Sequence, residues 1–377
     1  MENKKKILIA AEIFPPDIGG PATYSYDLAH ELARRGFTIG VVCYGEGSGS
    51  VSGFNIYKIS RNQNIFSRYI KYIFALYKYS KDFDIIYAQG PIASGIPAYI
   101  INNIFKKKYI VKVVGDYAWE KAMNSGKTKF TIDEFQNEKS KGVIKVLRYL
   151  EALVCKNAIK VIAPSRYLKK IVEGWGITGE NIEVIYNAFG IPHREEKLEK
   201  NKNLILSVGR LVPWKGFSLL IEIMPELLKF NKNFKLMIFG FGPELLKLQN
   251  MIHEMKLGEH ISISCVKHDK VIELMSCGGI FVLNTGYEGL SHTLLDALAS
   301  KIPVITTNIG GNPEIIRDSY NGLLVEYNNK AQIIEAIKKI FTHIDLQKKF
   351  SDNSNKTLRQ FSFEIMIQKT INLLETL

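Results

Sequence analysis

Asn284-Thr285-Gly286-Tyr287-Glu288-Gly289-Leu290-Ser291-His292-Thr293-Leu294-Leu295-Asp296-Ala297-Leu298 is the stretch whose reading decides how the chain is organised. The apolar run before it, Gly279 to Leu283, has the length and composition of a buried strand. The strand breaks at Asn-Thr-Gly, which puts Glu288 in a turn. A helix restarts near Ser291, whose hydroxyl can accept from the first free N–H groups, with Leu294, Leu295 and Leu298 as the apolar face behind it. Those N–H groups and the Gly289 backbone face the carboxyl end of the strand, where a phosphate or a row of sugar hydroxyls can be held. Spacing alone leaves a second reading open, in which Glu288 and Asp296 are solvated charges flanking a core helix.

Working outward, the same rhythm of apolar strand, loop and helix fills the second half. Asn203 to Val208 is a strand that leads into Gly209-Arg210-Leu211-Val212-Pro213-Trp214-Lys215-Gly216. An arginine and a lysine on one loop after a strand suit a diphosphate: Arg210 can give paired hydrogen bonds, and Lys215 a mobile point charge. Lys235 to Phe239 runs into the turn Gly240-Phe241-Gly242-Pro243-Glu244. Ile261 to Val266 follows, then Lys267 and His268. After the opening stretch come Ile302 to Thr306, the turn Gly310-Gly311-Asn312-Pro313-Glu314, and Tyr320 to Val325. His292, in the first turn after Ser291, is either a site contact or helix-start filler.

In the first half, Lys6 to Ala11 fits a buried parallel strand. Phe14-Pro15-Pro16-Asp17-Ile18-Gly19-Gly20-Pro21 is a loop. Thr23 to Arg35 is an amphipathic helix, with Tyr24, Leu28, Leu32 and Ala33 on one face and Gly36 at its end. A glycine pair between strand and helix either lets backbone approach a phosphate or simply makes a tight turn. Phe37 to Tyr44 and Asn55 to Ser60 are further strands. Arg61 to Lys81 is dense in aromatic and basic residues, and at helical spacing Ile70, Phe74 and Tyr77 share a face. That helix either packs on the sheet with snorkelling lysines or lies in a membrane interface, with Lys106-Lys107-Lys108 adding to the same surface. Phe83 to Ala88 and Lys108 to Val114 are strands, the latter ending at Gly115-Asp116-Tyr117. Asp116 is a candidate partner or proton acceptor for a hydroxyl, or else a helix-capping aspartate. Lys160 to Ala163 with Pro164-Ser165 repeats the strand-then-cap pattern, and Asn181 to Asn187 ends the half. The charged run His193 to Lys202 reads as a linker.

Composition narrows the classes. The chain has 377 residues, 46% apolar, which is length for two domains. No uncharged run approaches the roughly 18 residues of a membrane span. The N-terminus enters a strand directly, without a signal-peptide pattern. Cys43, Cys155, Cys265 and Cys277 are scattered and read as reduced core residues of a cytoplasmic protein. Of the net charge of +13, most lies in residues 1–190, with 27 Lys and Arg against 17 Asp and Glu. Such an excess has two readings. One is an anionic partner (membrane phospholipid, a lipid-diphosphate acceptor or nucleic acid), and the other is solubility and codon background. No RNA- or DNA-binding motif supports a nucleic-acid partner.

The frame of Glu288 and Asp296, with seven residues between them in E-G-L-S-x-x-L-L-D-A-L-A, resembles the E-x7-E element of retaining GT-B glycosyltransferases, those often called glycosyltransferase family 4 (glycosyl transferases group 1). Gly209-Arg210-Leu211 with Lys215-Gly216 is similar to the family's G-R-L-x-x-x-K-G element. The turns at Gly240 and Gly310 and the Ala163-Pro164-Ser165 element also match, in the family's order and over nearly the full length. The resemblance implies an α/β fold of two Rossmann-like, doubly wound parallel-sheet domains facing across a cleft. It implies an acceptor-binding domain over 1–193, a nucleotide-sugar-binding domain over 194–358, and a final helix, 359–377, crossing back onto the first.

It further implies retaining transfer of a hexose or N-acetylhexosamine from a nucleoside diphosphate sugar (UDP or GDP) to a hydroxyl of a glycan or lipid-linked acceptor in cell-envelope polysaccharide synthesis. Glu288 would contact donor-sugar hydroxyls, and Gly289, Leu290 and Ser291 would offer backbone N–H groups. Asp296, one methylene shorter than the usual glutamate, would hold the ribose. Arg210 and Lys215 would neutralise the departing diphosphate without a metal or other cofactor. Gly19 and Gly20 would close over that diphosphate, Gly240 and Gly242 would lie beside the nucleotide, and backbone near Val266 would read the base. Relatives carry glycine where Lys267 and His268 stand, and many carry a histidine near the Asp116 turn. Asp82-Phe83-Asp84 matches the metal-binding D-x-D of another glycosyltransferase fold, but it opens a strand and is assigned no metal. The expected location is cytoplasmic, with peripheral association on the inner face of the membrane left open, as is the oligomeric state. Alternatives are a phosphorylase or a nucleotide-sugar 2-epimerase of related fold, or a non-catalytic basic binding module.

Overall fold

The computed structural model describes residues 4–17, 20–47, 49–51, 53–189 and 199–377. The chain divides into two compact units, one of residues Met1–Asn187 with Glu364–Leu377, the other of Ala188–Phe363. The expected linker His193 to Lys202 lies outside the described residues as far as 198, and Asn201 and Lys202 already belong to a strand.

The first unit is built on strands β1 (Lys6–Ala10), β2 (Thr38–Tyr44), β3 (Gly49–Val51), β4 (Phe54–Ile59), β5 (Ile85–Ala88), β6 (Tyr109–Lys112), β7 (Lys160–Ala163) and β8 (Ile182–Val184). They form one sheet in the order β3-β4-β2-β1-β5-β6-β7-β8, parallel except for the short edge strand β3. Because parallel strands are covered on both faces, they read as unbroken apolar runs: Ile7, Leu8, Ile9 and Ala10 are all fully buried. Between the strands run α1 (Gly20–Arg34), α2 (Ile65–Ser80), α3 (Gly95–Phe105), α4 (Tyr117–Asn124), α5 (Ile132–Asn137), α6 (Gly142–Asn157) and α7 (Arg166–Gly174). Side chains start several of these helices. Asn64 accepts from the Ser67 N–H before α2, Thr131 and Glu134 form a reciprocal box at α5, and Ser165 accepts from Leu168 at α7.

The second unit carries β9 (Asn201–Val208), β10 (Lys235–Phe239), β11 (Ile261–Ser264), β12 (Gly278–Leu283), β13 (Val304–Thr307) and β14 (Leu323–Val325), all parallel, in the order β11-β10-β9-β12-β13-β14. Its helices are α8 (Phe217–Glu222), α9 (Met224–Phe230), α10 (Leu245–Glu254), α11 (His268–Cys277), α12 (His292–Ala299), α13 (Asn312–Ile315), α14 (Lys330–Thr342) and α15 (Ile344–Leu358). The final helix, α16 (Phe363–Thr376), lies almost wholly in the first unit, where Glu364 pairs with Arg35 of the chain after α1 at 2.6 Å. In each sheet the chain leaves its first strand in one direction and later returns to the strand's other side. The reversals fall between β1 and β5 and between β9 and β12. In open parallel sheets the crevice at the carboxyl ends of such a pair is where ligands bind.

For α2 the stripe found at helical spacing is not the packed side, and one expectation, that of the cysteines, needs correcting. Ile70 and Phe74 of α2 point outward, 42% and 67% exposed, and the side on the sheet is Tyr72, Leu76 and Ser80. Tyr72 fixes that side by donating its hydroxyl to the carbonyls of Ala11 and Val42. Cys43 and Cys155 are core residues, but Cys265 is exposed and Cys277 half-buried, because they follow β11 and close α11, where one side faces solvent. No described helix is long and apolar enough to cross a membrane.

Candidate nucleotide-sugar site

The loops after β9 and β12 flank the reversal of the second sheet, and they carry the charges singled out from sequence. After β9 the chain runs through Gly209 and Arg210, makes a single helical turn at Pro213–Lys215, and reaches Gly216 in a left-handed conformation, φ 56°. A side chain at Gly216 would meet the Asn284 amide at 2.3 Å, so this position takes only glycine. Asn284 is the brace. Its Nδ2 donates to the Gly216 carbonyl at 3.0 Å and to Asn328 Oδ1 at 2.9 Å, and its Oδ1 accepts from the Asn328 N–H at 3.0 Å. Gly286 N and Thr285 Oγ1 both donate to the Trp214 carbonyl. Three consecutive residues at the end of β12 thus anchor the loop that bears Lys215.

The Gly240–Gly242 turn is stacked on the same loop. A Cβ on Gly240 would fall 1.9 Å from the Gly209 carbonyl oxygen, and Leu211 N donates to the Phe241 carbonyl at 2.9 Å. On the other side, Gly311 N donates to the Glu288 carbonyl at 2.8 Å, and Asn312, fully buried, donates to Thr306 and Thr307 at the end of β13. The turns expected to shape a site therefore touch the Arg210–Lys215 loop or the Glu288–Gly289 backbone directly.

Between these supports the Lys215 ammonium pairs with the Glu288 carboxylate, each side chain 13% exposed. The pair is mostly desolvated yet still reachable from solvent, so its members can exchange each other for a ligand. Arg210 is exposed, its guanidinium 5.9 Å from the Trp214 ring. Gly289, Leu290 and Ser291 follow Glu288 and are buried. Ser291 is the N-cap of α12, accepting from Leu294 N at 3.4 Å. A helix start of this kind favours negative charge nearby.

Asp296 lies within α12 and is 4% exposed; its Oδ2 is held by His268 Nε2 at 2.9 Å. This contact raises the His268 pKa, the hydrogen bond to Asp296 outweighing the effect of burial. Sequence reasoning treated His268 and the short Asp296 as two separate departures from the family pattern. The structure makes them one feature: the imidazole stands against the carboxylate. Two departures in one set of motifs were the available signal. Val266, 37% exposed, lies in the segment joining β11 to α11.

In the first unit Gly20 begins α1, and Gly19 lies outside the described residues. Asp116 is the N-cap of α4, 1% exposed, accepting from Trp119 N at 2.7 Å and Gln136 Nε2 at 2.9 Å. Glu151, also 1% exposed, accepts from the N–H groups of Tyr117 and Ala118. Burial raises both carboxyl pKa values, and for Glu151 the neighbouring Asp116 charge adds to it. Lys112, at the end of β6, is 1% exposed; its ammonium donates to Asn187 Oδ1 at 2.8 Å and sits 3.1 Å from the Tyr24 ring. Desolvation pulls its pKa well down. Of the D-x-D pair, Asp84 is spent on the backbone, accepting from Lys6 N at 2.8 Å. Among the described residues no three His, Cys, Asp or Glu side chains are grouped as a metal site would need.

Comparison with known proteins places both units. A family model described as "Glycosyl transferases group 1" matches residues 191–357, and one described as "Glycosyltransferase Family 4" matches residues 18–189. A curated relative, an uncharacterized glycosyltransferase of Methanocaldococcus jannaschii, is 30% identical over 58% of this chain and 59% of its own, so the match spans about three-fifths of that protein. Sucrose-phosphate synthase from Thermosynechococcus elongatus superposes with a TM-score of 0.81 over 99% of both chains at 15% identity. Anabaena HepE, solved in complex with UDP and glucose, superposes with a TM-score of 0.78 over 99% of this chain and 100% of its own at 17% identity. Both likenesses are of fold, and the fold is GT-B.

Proposed function

The chain belongs to glycosyltransferase family 4 (glycosyl transferases group 1), and on that premise we propose that it transfers a hexose or N-acetylhexosamine, with retention, from a nucleoside diphosphate sugar to a hydroxyl of a glycan or lipid-linked acceptor of the cell envelope. The observation that carries the reading is the Lys215–Glu288 pair, held at the reversal of the second sheet beside the capped start of α12. UDP is favoured over GDP because HepE was solved with UDP and glucose.

When donor binds, Lys215 exchanges the Glu288 carboxylate for the diphosphate, and Glu288 turns to the sugar hydroxyls. Arg210 and the N–H groups at the start of α12 complete the neutralisation of the leaving group. The bond from the anomeric carbon to the β-phosphate oxygen breaks as the acceptor oxygen bonds to the same face of that carbon. The acceptor proton passes to a phosphate oxygen, giving glycoside and nucleoside diphosphate. No metal is assigned to this chemistry, so turnover is expected to survive EDTA. Asp296, positioned by His268, would take the ribose hydroxyls.

A thermal-shift panel of UDP-, GDP- and ADP-sugars tests the donor. One donor class should stabilise the wild type, and Arg210→Ala and Glu288→Ala should each weaken that shift. Stabilisation unchanged in both variants, or sugar release driven by inorganic phosphate without nucleotide, would reject the assignment. The anomer of the product, read by NMR, tests retention separately.

A further inference from the structure

We propose that the outer face of α2, continued by the end of α3, docks this protein on an anionic phospholipid bilayer. Phe66, Ile70 and Phe74 stand four residues apart on α2 and are 76%, 42% and 67% exposed. At helical periodicity they form one stripe, pointing away from the side that Tyr72 and Leu76 bury on the sheet. Holding α2 in the fold is the work of that buried side, so the stripe is surplus to folding. A contiguous run of large apolar side chains on a surface marks an interaction site. One turn on, the Tyr77 ring stacks on Phe105 at 4.0 Å, and Ile104 beside it is 62% exposed, so the apolar strip passes from α2 onto the end of α3.

Charge identifies the occupant. From Gly47 to Lys81 the sequence has six Lys and Arg and no acid, and α3 through Lys108 adds Lys106, Lys107 and Lys108, again with no acid. Lys71, Lys78, Lys81, Lys106 and Lys108 are exposed. Lys81 places its ammonium 4.6 Å from the Tyr77 ring, at the margin of the apolar strip. Arg61 is spent on Asp17 and Lys107 on the Phe83 carbonyl, so the free charge is the lysine rim. Asp84, the acid nearest in sequence after Asp82, is turned to the Lys6 N–H. An apolar stripe rimmed mainly by lysines, with the exposed Asp82 next to Lys81, matches a helix lying in the plane of a bilayer, with rings among the acyl chains and ammonium groups among anionic headgroups. This reading is independent of the donor chemistry in the other unit.

The full-length protein would be sedimented with vesicles of phosphatidylcholine alone and of phosphatidylcholine mixed with phosphatidylglycerol, at low and physiological salt. Wild type should bind the mixed vesicles at least about tenfold more tightly than the neutral ones. Phe66→Ser with Phe74→Ser, and separately Lys71→Glu with Lys78→Glu, should each cut that binding by about tenfold while circular dichroism and thermal stability stay unchanged, since all four side chains are exposed. The proposal is overturned by equal binding to both vesicle types, by vesicle binding that survives the Phe pair, or by a lipid-free dimer that the Phe pair dissolves. Tight nucleic-acid binding lost in the Lys pair, with no vesicle binding, would overturn it too.

Discussion

The two sheets reverse at equivalent places, but the residues near their carboxyl ends are used differently. In the second unit, Lys215 and Glu288 are paired but still reachable, and glycine-tight turns pack around them. In the first, Lys112, Asp116 and Glu151 are shut away at 1% exposure, and their hydrogen bonds go to the protein itself. A charge left at an edge with a partner it can release is available for chemistry. One buried against backbone N–H groups is committed to holding a helix start. Under the proposed function, the donor half of the reaction is therefore written into this chain more openly than the acceptor half.

The comparison is sharpest where activity and stability separate. Glu288→Ala should lower transferase activity by about 10²–10³ with little change in melting temperature. Glu151→Ala should do the reverse: it strands the N–H groups of Tyr117 and Ala118 and costs about 1–3 kcal/mol of stability. Chemical denaturation beside a steady-state assay checks both, and equal activity losses would erase the contrast.

Gly240→Ala tests whether the turns are set by close approach. A methyl group aimed at the Gly209 carbonyl should cost about 1–3 kcal/mol and displace the Arg210 loop. Donor-induced stabilisation should fall with it.

The smallest effect belongs to His268. Its folded pKa is raised by Asp296, so its contribution to stability is complete below the unfolded value near 6.5 and fades as pH rises through the folded one. The imidazole is largely exposed, so His268→Ala should cost only a few tenths of a kcal/mol below pH 6 and less at pH 8.5. Melting curves at the two pH values decide it.

Much of the second unit was legible because its motifs combine strand, glycine and charge in fixed frames. Ser291 as a cap follows from backbone rules that any reader of the sequence can apply. Asp116 was ambiguous for a physical reason, since an aspartate before a helix has the same signature whether it caps or reacts. The stripe of α2 stayed open between core and interface because that helix carries apolar or aromatic residues nearly all round. Periodicity finds stripes, but only the sheet's position says which one is core. The His268–Asp296 contact joins residues 28 apart, beyond any local pattern.

Asn284 has a practical corollary. One carboxamide ties the cation-bearing loop, the end of a strand and the Asn328 backbone into a single knot. Anyone transplanting the Arg210–Lys215 segment into another scaffold, or recombining halves of related enzymes, would have to move Gly216, Asn284 and Asn328 as one cassette. A chimera that splits them would inherit the right charges on a tether with nothing to aim it.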